Sequence, residues 1–389
     1  MNDKPLRIAM ITPFFSPNIG GVETHLDDLC EYFVRRGHHV SVITYQPLAS
    51  KRKASSLEAN EKLTIMRINW LGNGLFNKLE PFPLFEIIYL FPALFLRTLF
   101  FALSNRKRID IIVAHGLVAA LVVKFVGLFL RKPTLATIHT IYNLDTKPLV
   151  GKIFAWTLHS FDKILFVSCR IRDEFVNLGI ASKKTEVFTY WADNLRFAKL
   201  DNNQAKTKIG WDGKFVVLFV GRLIKEKGVD VLVKAAQMTN KNISFAFVTS
   251  GSYEEFKKVV GGTIPSNVIY VGPVDYSLLH LYYNAADLFV LPSPNREGFS
   301  RAVLESILCG TPVIASNVGC LPEVVNSSVG RLVDPPTSKN FSKIIEYYYV
   351  NKKELDELSR ACVIYAQKKF SENVNSGIVE KCYRDLTVI

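Results

Sequence analysis

Residues 7–44 read RIAMITPFFSPNIGGVETHLDDLCEYFVRRGHHVSVIT. The run RIAMIT (7–12) is uninterrupted apolar chain that stops at Pro13, too short for a helix and without the alternation of a half-exposed strand. After the pair Gly20-Gly21, residues Val22, Leu26, Leu29, Cys30 and Phe33 fall on one face of a helix, and Gly37 is placed to end it in a left-handed conformation. A second apolar run, VSVIT (40–44), follows at once. Two continuously apolar strands joined by an amphipathic helix make a βαβ unit, in which parallel strands are buried on both faces.

The same rhythm extends along the chain. LTIMRI (63–68), IDIIVA (109–114), TLATI (134–138) and KILFVS (163–168) complete a first set of strands. FVVLFVG (215–221), ISFAFVTSG (243–251), VIYVG (268–272), DLFVLPS (287–293), TPVIAS (311–316) and VGRLVD (329–334) form a second. Between the sets, Trp191–Asp212 is polar and rich in Asn and Lys and reads as a linker. A length of 389 residues also calls for two domains. The expected fold is therefore α/β, with two Rossmann-like doubly wound domains facing a central cleft. The first spans 1–193 and the second 194–370, with a C-terminal helix at about 371–389 packing back on the first.

Composition narrows the function. Forty-nine per cent apolar and 21% charged residues exclude a disordered or low-complexity chain. The six cysteines form no C-x-x-C pair, as expected of reduced thiols in the cytoplasm. Residues 1–15 hold an apolar core too short for a secretory signal. The net charge of +13 divides as 24 − 16 = +8 over residues 1–193 and 24 − 19 = +5 over the remainder. No nucleic-acid motif accompanies this excess, which points to a phosphate ligand or an anionic membrane surface. The greasiest stretch, Pro81–Leu103, contains Glu86, Pro92 and Arg97 and lacks the roughly 20 uninterrupted apolar residues of a spanning helix. It reads either as a buried helix or as an interfacial segment, with Arg97, Arg106, Lys107 and Arg108 on lipid phosphates.

Ligands of open α/β sheets bind beyond the carboxyl ends of the strands, so the loops there carry the chemistry. Gly20-Gly21 opens a helix whose free amides suit a phosphate, or forms a plain tight turn. The string Gly221-Arg222-Leu223-Ile224-Lys225-Glu226-Lys227-Gly228 places two cations five residues apart, as a diphosphate clamp or as solvated charge. The segment from Arg296 to Glu305 (REGFSRAVLE) puts Glu297 in a loop and Glu305 on the following helix, where carboxylates can accept sugar hydroxyls. His115 and His139 both end strands. No Asp at i has an Asp at i+2, so a metal-binding Asp-x-Asp is missing.

These motifs, with Gly310-Thr311-Pro312 and Gly319-x-x-Pro322-Glu323 in the same order, resemble the retaining glycosyltransferases of family 4, which have the GT-B fold. The string FFSPNIGGVETHLDDL is further similar to the catalytic subunit that adds N-acetylglucosamine to phosphatidylinositol in GPI-anchor synthesis. The resemblance implies a hexosyltransferase, with Arg222 and Lys227 on the donor diphosphate, Glu305 on the ribose, Glu297 on the transferred sugar, and His139 near sugar and acceptor. Gly20, Gly21, Gly221, Gly298, Phe299 and Ser300 would line the donor site. Chain positions that depart from the family pattern are Ser300, Arg301, Cys320 and Tyr190-Trp191-Ala192-Asp193. The expected activity moves a sugar from a UDP- or GDP-sugar to a lipid or lipid-linked acceptor, without metal or cofactor and without nucleic acid, at the cytoplasmic face of a membrane. Transfer to a soluble acceptor in polysaccharide synthesis, nucleotide-sugar epimerisation on the same fold, and a silent binding module are the alternatives. Loss of Arg222 or Lys227 is expected to remove about 2–4 kcal/mol of transition-state stabilisation and to leave thermal unfolding nearly unchanged.

Overall fold

The computed structural model describes residues 4–387 except 19, 49–52, 72–74, 80–81, 143 and 145–147. Residues 1–3 of the N-terminal stretch, Pro81 and residues 388–389 thus lie outside the described residues. The chain divides into two compact units, Met1–Tyr190 with Asn373–Ile389, and Trp191–Glu372.

The first unit is built on strands β1 (Arg7–Ile11), β2 (His39–Tyr45), β3 (Leu57–Ala59), β4 (Leu63–Ile68), β5 (Ile111–His115), β6 (Thr134–Ile138), β7 (Lys163–Phe166) and β8 (Thr185–Val187). They form one sheet in the order β3-β4-β2-β1-β5-β6-β7-β8, parallel except for β3. Its helices are α1 (Gly21–Arg35), α2 (Leu75–Leu79), α3 (Pro83–Ser104), α4 (Leu117–Leu130), α5 (Pro148–Leu158) and α6 (Cys169–Val176). The second unit holds β9 (Phe215–Gly221), β10 (Ile243–Thr249), β11 (Val268–Gly272), β12 (Leu288–Leu291), β13 (Val313–Ser316) and β14 (Gly330–Val333), all parallel in the order β11-β10-β9-β12-β13-β14. Its helices are α7 (Asn202–Ile209), α8 (Val229–Met238), α9 (Tyr253–Val260), α10 (Leu279–Ala285), α11 (Arg301–Leu308), α12 (Leu321–Val324), α13 (Ser338–Val350) and α14 (Lys352–Lys369). The strand order reverses beside β1 in one sheet and beside β9 in the other. In each sheet by itself, such a switch point leaves a crevice at the strand ends.

Local chemistry explains the elements. Every residue of β5 and β6 is buried, as both-sided cover by helices requires. Helix α1 buries His25, Leu26, Leu29, Cys30 and Phe33, and Gly37 at φ +90° closes it. Helix α15 (Glu372–Thr387) belongs to the first unit and docks on α1. Tyr383 stacks on Phe33 at 5.0 Å, and Glu380 accepts a 2.6 Å hydrogen bond from Tyr32 while pairing with Arg384. Burial opposes the charge on Glu380, but the Tyr32 and Arg384 hydrogen bonds win and hold its carboxyl at about 2.

One expectation fails here. The polar segment after Tyr190 is no linker: Trp191 and Phe197 are buried, and α7 is anchored by Lys206, whose ammonium meets Asp287 at 2.7 Å. Asn202 Nδ2 donates to the Asn284 carbonyl and Lys206 Nζ to the Lys214 carbonyl, so these polar side chains are spent inside the unit. The apolar stretch after Phe82 is a single 22-residue helix that runs through Pro92 and is long and apolar enough to cross a membrane by length and composition. Near the proline, the Tyr45 hydroxyl enters the helix ladder, donating to the carbonyl of Leu90 and accepting from the Leu94 amide. That insertion satisfies backbone groups near the disrupted turn.

Candidate active site

In the second unit the loops after β9, β12 and β13 meet. Beyond β12 the sequence Pro292-Ser293-Pro294 cannot continue the sheet. The following turn brings Glu297 back, buried, with Ser293 Oγ donating to its Oε2 at 2.6 Å and Lys227 Nζ to its Oε1 at 2.5 Å. Two glycines permit this closeness. A Cβ on Gly228 (φ +71°) would fall 2.0 Å from the Pro292 carbonyl oxygen, and one on Gly319 (φ +59°) would fall 1.9 Å from that of Glu297. Any side chain at either place would drive the loops apart. The Glu297 carbonyl also accepts the Cys320 amide at 2.9 Å, so the cysteine that departs from the family pattern contributes its backbone.

Gly221 ends β9, and Arg222 follows with its side chain exposed. Among the described residues nothing pairs with its guanidinium. Lys227 lies in a short 3₁₀ turn, not on an α-helix, and Gly228 is the N-cap of α8. The pairing of Lys227 with Glu297 revises one expectation: this lysine is not solvated charge, and its removal strands a buried carboxylate. Gly298 leads to Phe299, which is buried against Phe370 at 6.0 Å, and Ser300 caps α11 by position without a side-chain capping bond.

Glu305, on α11, is the hub of a second buried cluster. Tyr276 donates to Oε1 at 3.1 Å and Tyr283 to Oε2 at 3.0 Å, while Arg301 Nε lies 3.6 Å away. Arg301 also donates to the Tyr276 hydroxyl and to the Trp191 carbonyl, each at 3.0 Å. Burial, followed by the Glu305 charge, raises the Tyr283 phenol well above its usual value. A carboxylate offers about four acceptor sites, so ribose hydroxyls would share Glu305 with these tyrosines.

In the first unit, Gly20 precedes α1 in extended backbone and Gly21 is the first helical residue. A Cβ on Gly20 would fall 2.3 Å from Glu23 Oε2, so a side-chain carboxylate already lies at this helix start. His115 ends β5 and His139 follows β6 directly. His115 Nδ1 and His139 Nε2 share a hydrogen bond at 3.0 Å, and His139 Nδ1 meets the Tyr190 hydroxyl at 2.7 Å. His25 stacks on Tyr190 at 4.2 Å. Burial lowers the His139 imidazolium to about 3, and burial with the neighbouring His139 ring lowers His115 well below its usual value. Both rings are therefore neutral at pH 7. They can pass or accept hydrogen bonds but cannot neutralise phosphate. With both His139 nitrogens engaged, His115 Nε2 is the ring nitrogen of the pair without a partner among the described residues. His25 escaped the sequence reading, although its place on the buried stripe of α1 was a signal. Tyr190 entered that reading as a departure from the family pattern and not as a partner of His139.

Each unit matches a known family model. Residues 19–189 match the model of Glycosyltransferase Family 4, and residues 201–369 that of Glycosyl transferases group 1. The chain is 28% identical over 297 residues to an uncharacterized 41.2 kDa protein in the cps region of Klebsiella pneumoniae (70% of this chain, 78% of that one). It is 24% identical to the phosphatidylinositol N-acetylglucosaminyltransferase GPI3 subunit of Saccharomyces cerevisiae over 82% of this chain and 69% of that one. The solved structure of Anabaena HepE in complex with UDP-glucose superposes with a TM-score of 0.77 at 19% identity, covering 97% of this chain and all of that one. With one family model on each unit and both sheets doubly wound, the chain is a glycosyltransferase of the GT-B type.

Proposed function

We propose that the chain moves a hexosyl group, with retention of configuration, from a UDP- or GDP-sugar to a lipid or lipid-linked glycan at the cytoplasmic face of a membrane, where it binds peripherally. The observation that carries the reading is the Lys227–Glu297 pair at the end of β12, with the unpaired Arg222 at the end of β9. Cleaving a sugar–diphosphate bond builds negative charge on the leaving oxygens, and fixed cations accelerate the step to the extent that they hold this charge better than the ground state's. Arg222 offers a fork of donors to the diphosphate. Lys227 has three N–H groups and gives one to Glu297, so it can bridge that carboxylate and a phosphate oxygen. Glu297, held by Ser293 and Lys227, is set to orient sugar hydroxyls. The neutral His139 contributes hydrogen bonding through its His115 and Tyr190 partners. UDP-glucose bound to HepE supports a UDP-sugar donor, and the named reaction of the yeast subunit supports a lipid acceptor.

The chain has no Asp-x-Asp, and the proposal assigns charge neutralisation to the two cations instead of a metal. Incubation with UDP-glucose, UDP-N-acetylglucosamine and GDP-mannose, with and without detergent-dispersed lipid extract, tests it by mass spectrometry. Acceptor-dependent product in the presence of EDTA is expected. Isomerised donor without acceptor, product only on soluble glycans, or activity restored to a chelated sample only by Mg²⁺ or Mn²⁺ would overturn the corresponding part.

A further inference from the structure

We infer that α3, α4 and α5 of the first unit form one lipid-docking face that lies flat on an anionic bilayer. This deepens the lipid-acceptor reading and rests on it for its purpose, though the evidence for the face is separate. Helix α3 has the length and composition of a membrane span, yet one stripe of it (Leu90, Leu94, Thr98, Ala102) is buried in the protein. The Tyr45 hydroxyl inserted between Leu90 and Leu94 fixes that stripe to β2. A helix so fastened cannot leave the sheet to cross a bilayer without stripping these groups bare. It can lie in the headgroup plane with its outer side down.

The outer side is apolar. Ile88 and Phe100 are each 67% exposed, and Leu96 and Leu103 flank Phe100. The surface continues onto the neighbouring helices: Leu128 and Phe129 at the end of α4 are 66% and 65% exposed, and Trp156 of α5 is 53% exposed. The three helices form a continuous layer, because Phe91 and Phe95 of α3 contact Phe125 of α4, and Phe125 contacts Trp156. Such a contiguous apolar surface marks an interaction site.

Charge selects the occupant. Residues 83–158 carry nine Lys and Arg against three Asp and Glu, 9 − 3 = +6 of the chain's +13. Among the acids, Asp110 is consumed by Arg7. Arg97 sits within the outer side of α3, and Arg106-Lys107-Arg108, Arg131 and Lys152 are exposed around the patch. Lys124 lies 3.8 Å from the Trp156 ring centroid and donates to the Trp156 carbonyl, an amphipathic pair of the kind found at membrane interfaces. Long cationic side chains keep their charge at the phosphates while their stems cover apolar surface. A second copy of this chain would bring one such positive rim against another.

Sedimentation of the full chain with phosphatidylcholine vesicles, with and without phosphatidylglycerol, tests the face. Binding is expected only with phosphatidylglycerol, weakened by salt and weakened about tenfold or more by R106E/K107E/R108E. F100S/F129S should also abolish it, with circular-dichroism melts showing that the variant folds. Tryptophan emission should shift to the blue on these vesicles, and W156F should remove the shift. No binding at low salt, equal binding to both vesicles, or a dimer in light scattering that F100S/F129S dissolves would overturn the inference. Transfer to a detergent-dispersed acceptor without vesicle binding refutes the face and leaves the function. Vesicle binding without transfer to any lipid does the reverse.

Discussion

Replacing Lys227 with methionine keeps the stem and removes the ammonium. Glu297 is 7% exposed by side chain and Lys227 21%, with their charged atoms 2.5 Å apart. Without its partner the carboxylate keeps the Ser293 hydroxyl but loses its counter-charge in a site that water barely reaches. Breaking a buried pair costs about 3–5 kcal/mol. Discounting for the partial exposure of the lysine leaves about 2–3 kcal/mol. For a unit of this size each kcal/mol moves the midpoint by about 2–4 °C, so the transition should fall by about 4–12 °C. Glu297→Gln should rescue the lysine variant, because a neutral amide still accepts from Ser293 and carries no stranded charge. A double-mutant cycle followed by circular-dichroism melts should give a coupling of about 1–2 kcal/mol. An unchanged midpoint in Lys227→Met, or a double variant less stable than the sum of the singles, would refute the reasoning.

Arg222→Ala should behave oppositely, lowering kcat/KM by about 2–4 kcal/mol of barrier while the melt stays put, since its guanidinium is exposed and unpaired among the described residues. Normal kcat/KM would remove Arg222 from the diphosphate. The depressed His139 makes stability depend on pH: below its unfolded pKa near 6.5 the unfolded chain binds the extra proton, so stability is full above 6.5 and falls toward about 3. From pH 7 to pH 5 the loss from His139 is about 2 kcal/mol, and urea melts across that range should show it; a flat profile counts against a buried neutral ring. Gly319→Ala should abolish soluble folding or lower the midpoint severely, because its Cβ would overlap the Glu297 carbonyl. A soluble variant of unchanged midpoint would show that the loops can separate.

The continuous apolar strands and the loops after them were legible because burial on both faces of a parallel sheet leaves an unmistakable pattern. Strands β3 and β8 were not: LEA and TEV are three-residue edge strands whose residues are exposed or half-exposed. The segment after Tyr190 misled because its lysines and asparagines look solvated, whereas Lys206 and Asn202 spend their polar groups inside the second unit. Site residues could be named from strand-end positions, but their partnerships could not. Lys227 and Glu297 are seventy positions apart, and only the folded loops bring them together. The tyrosines on Glu305 sit in otherwise unremarkable helical sequence.

The return of α15 to the first unit has a bearing on biosynthesis. On the ribosome the first unit is interrupted: residues 4–190 emerge, then the whole of the second unit, and only then the helix that covers Phe33 and His38. The second unit is contiguous and can complete itself first. Until residues 373–387 arrive, the Phe33 side of α1 lacks its cover. It also means that a fragment cut at Tyr190 is not a domain but a domain with one wall missing.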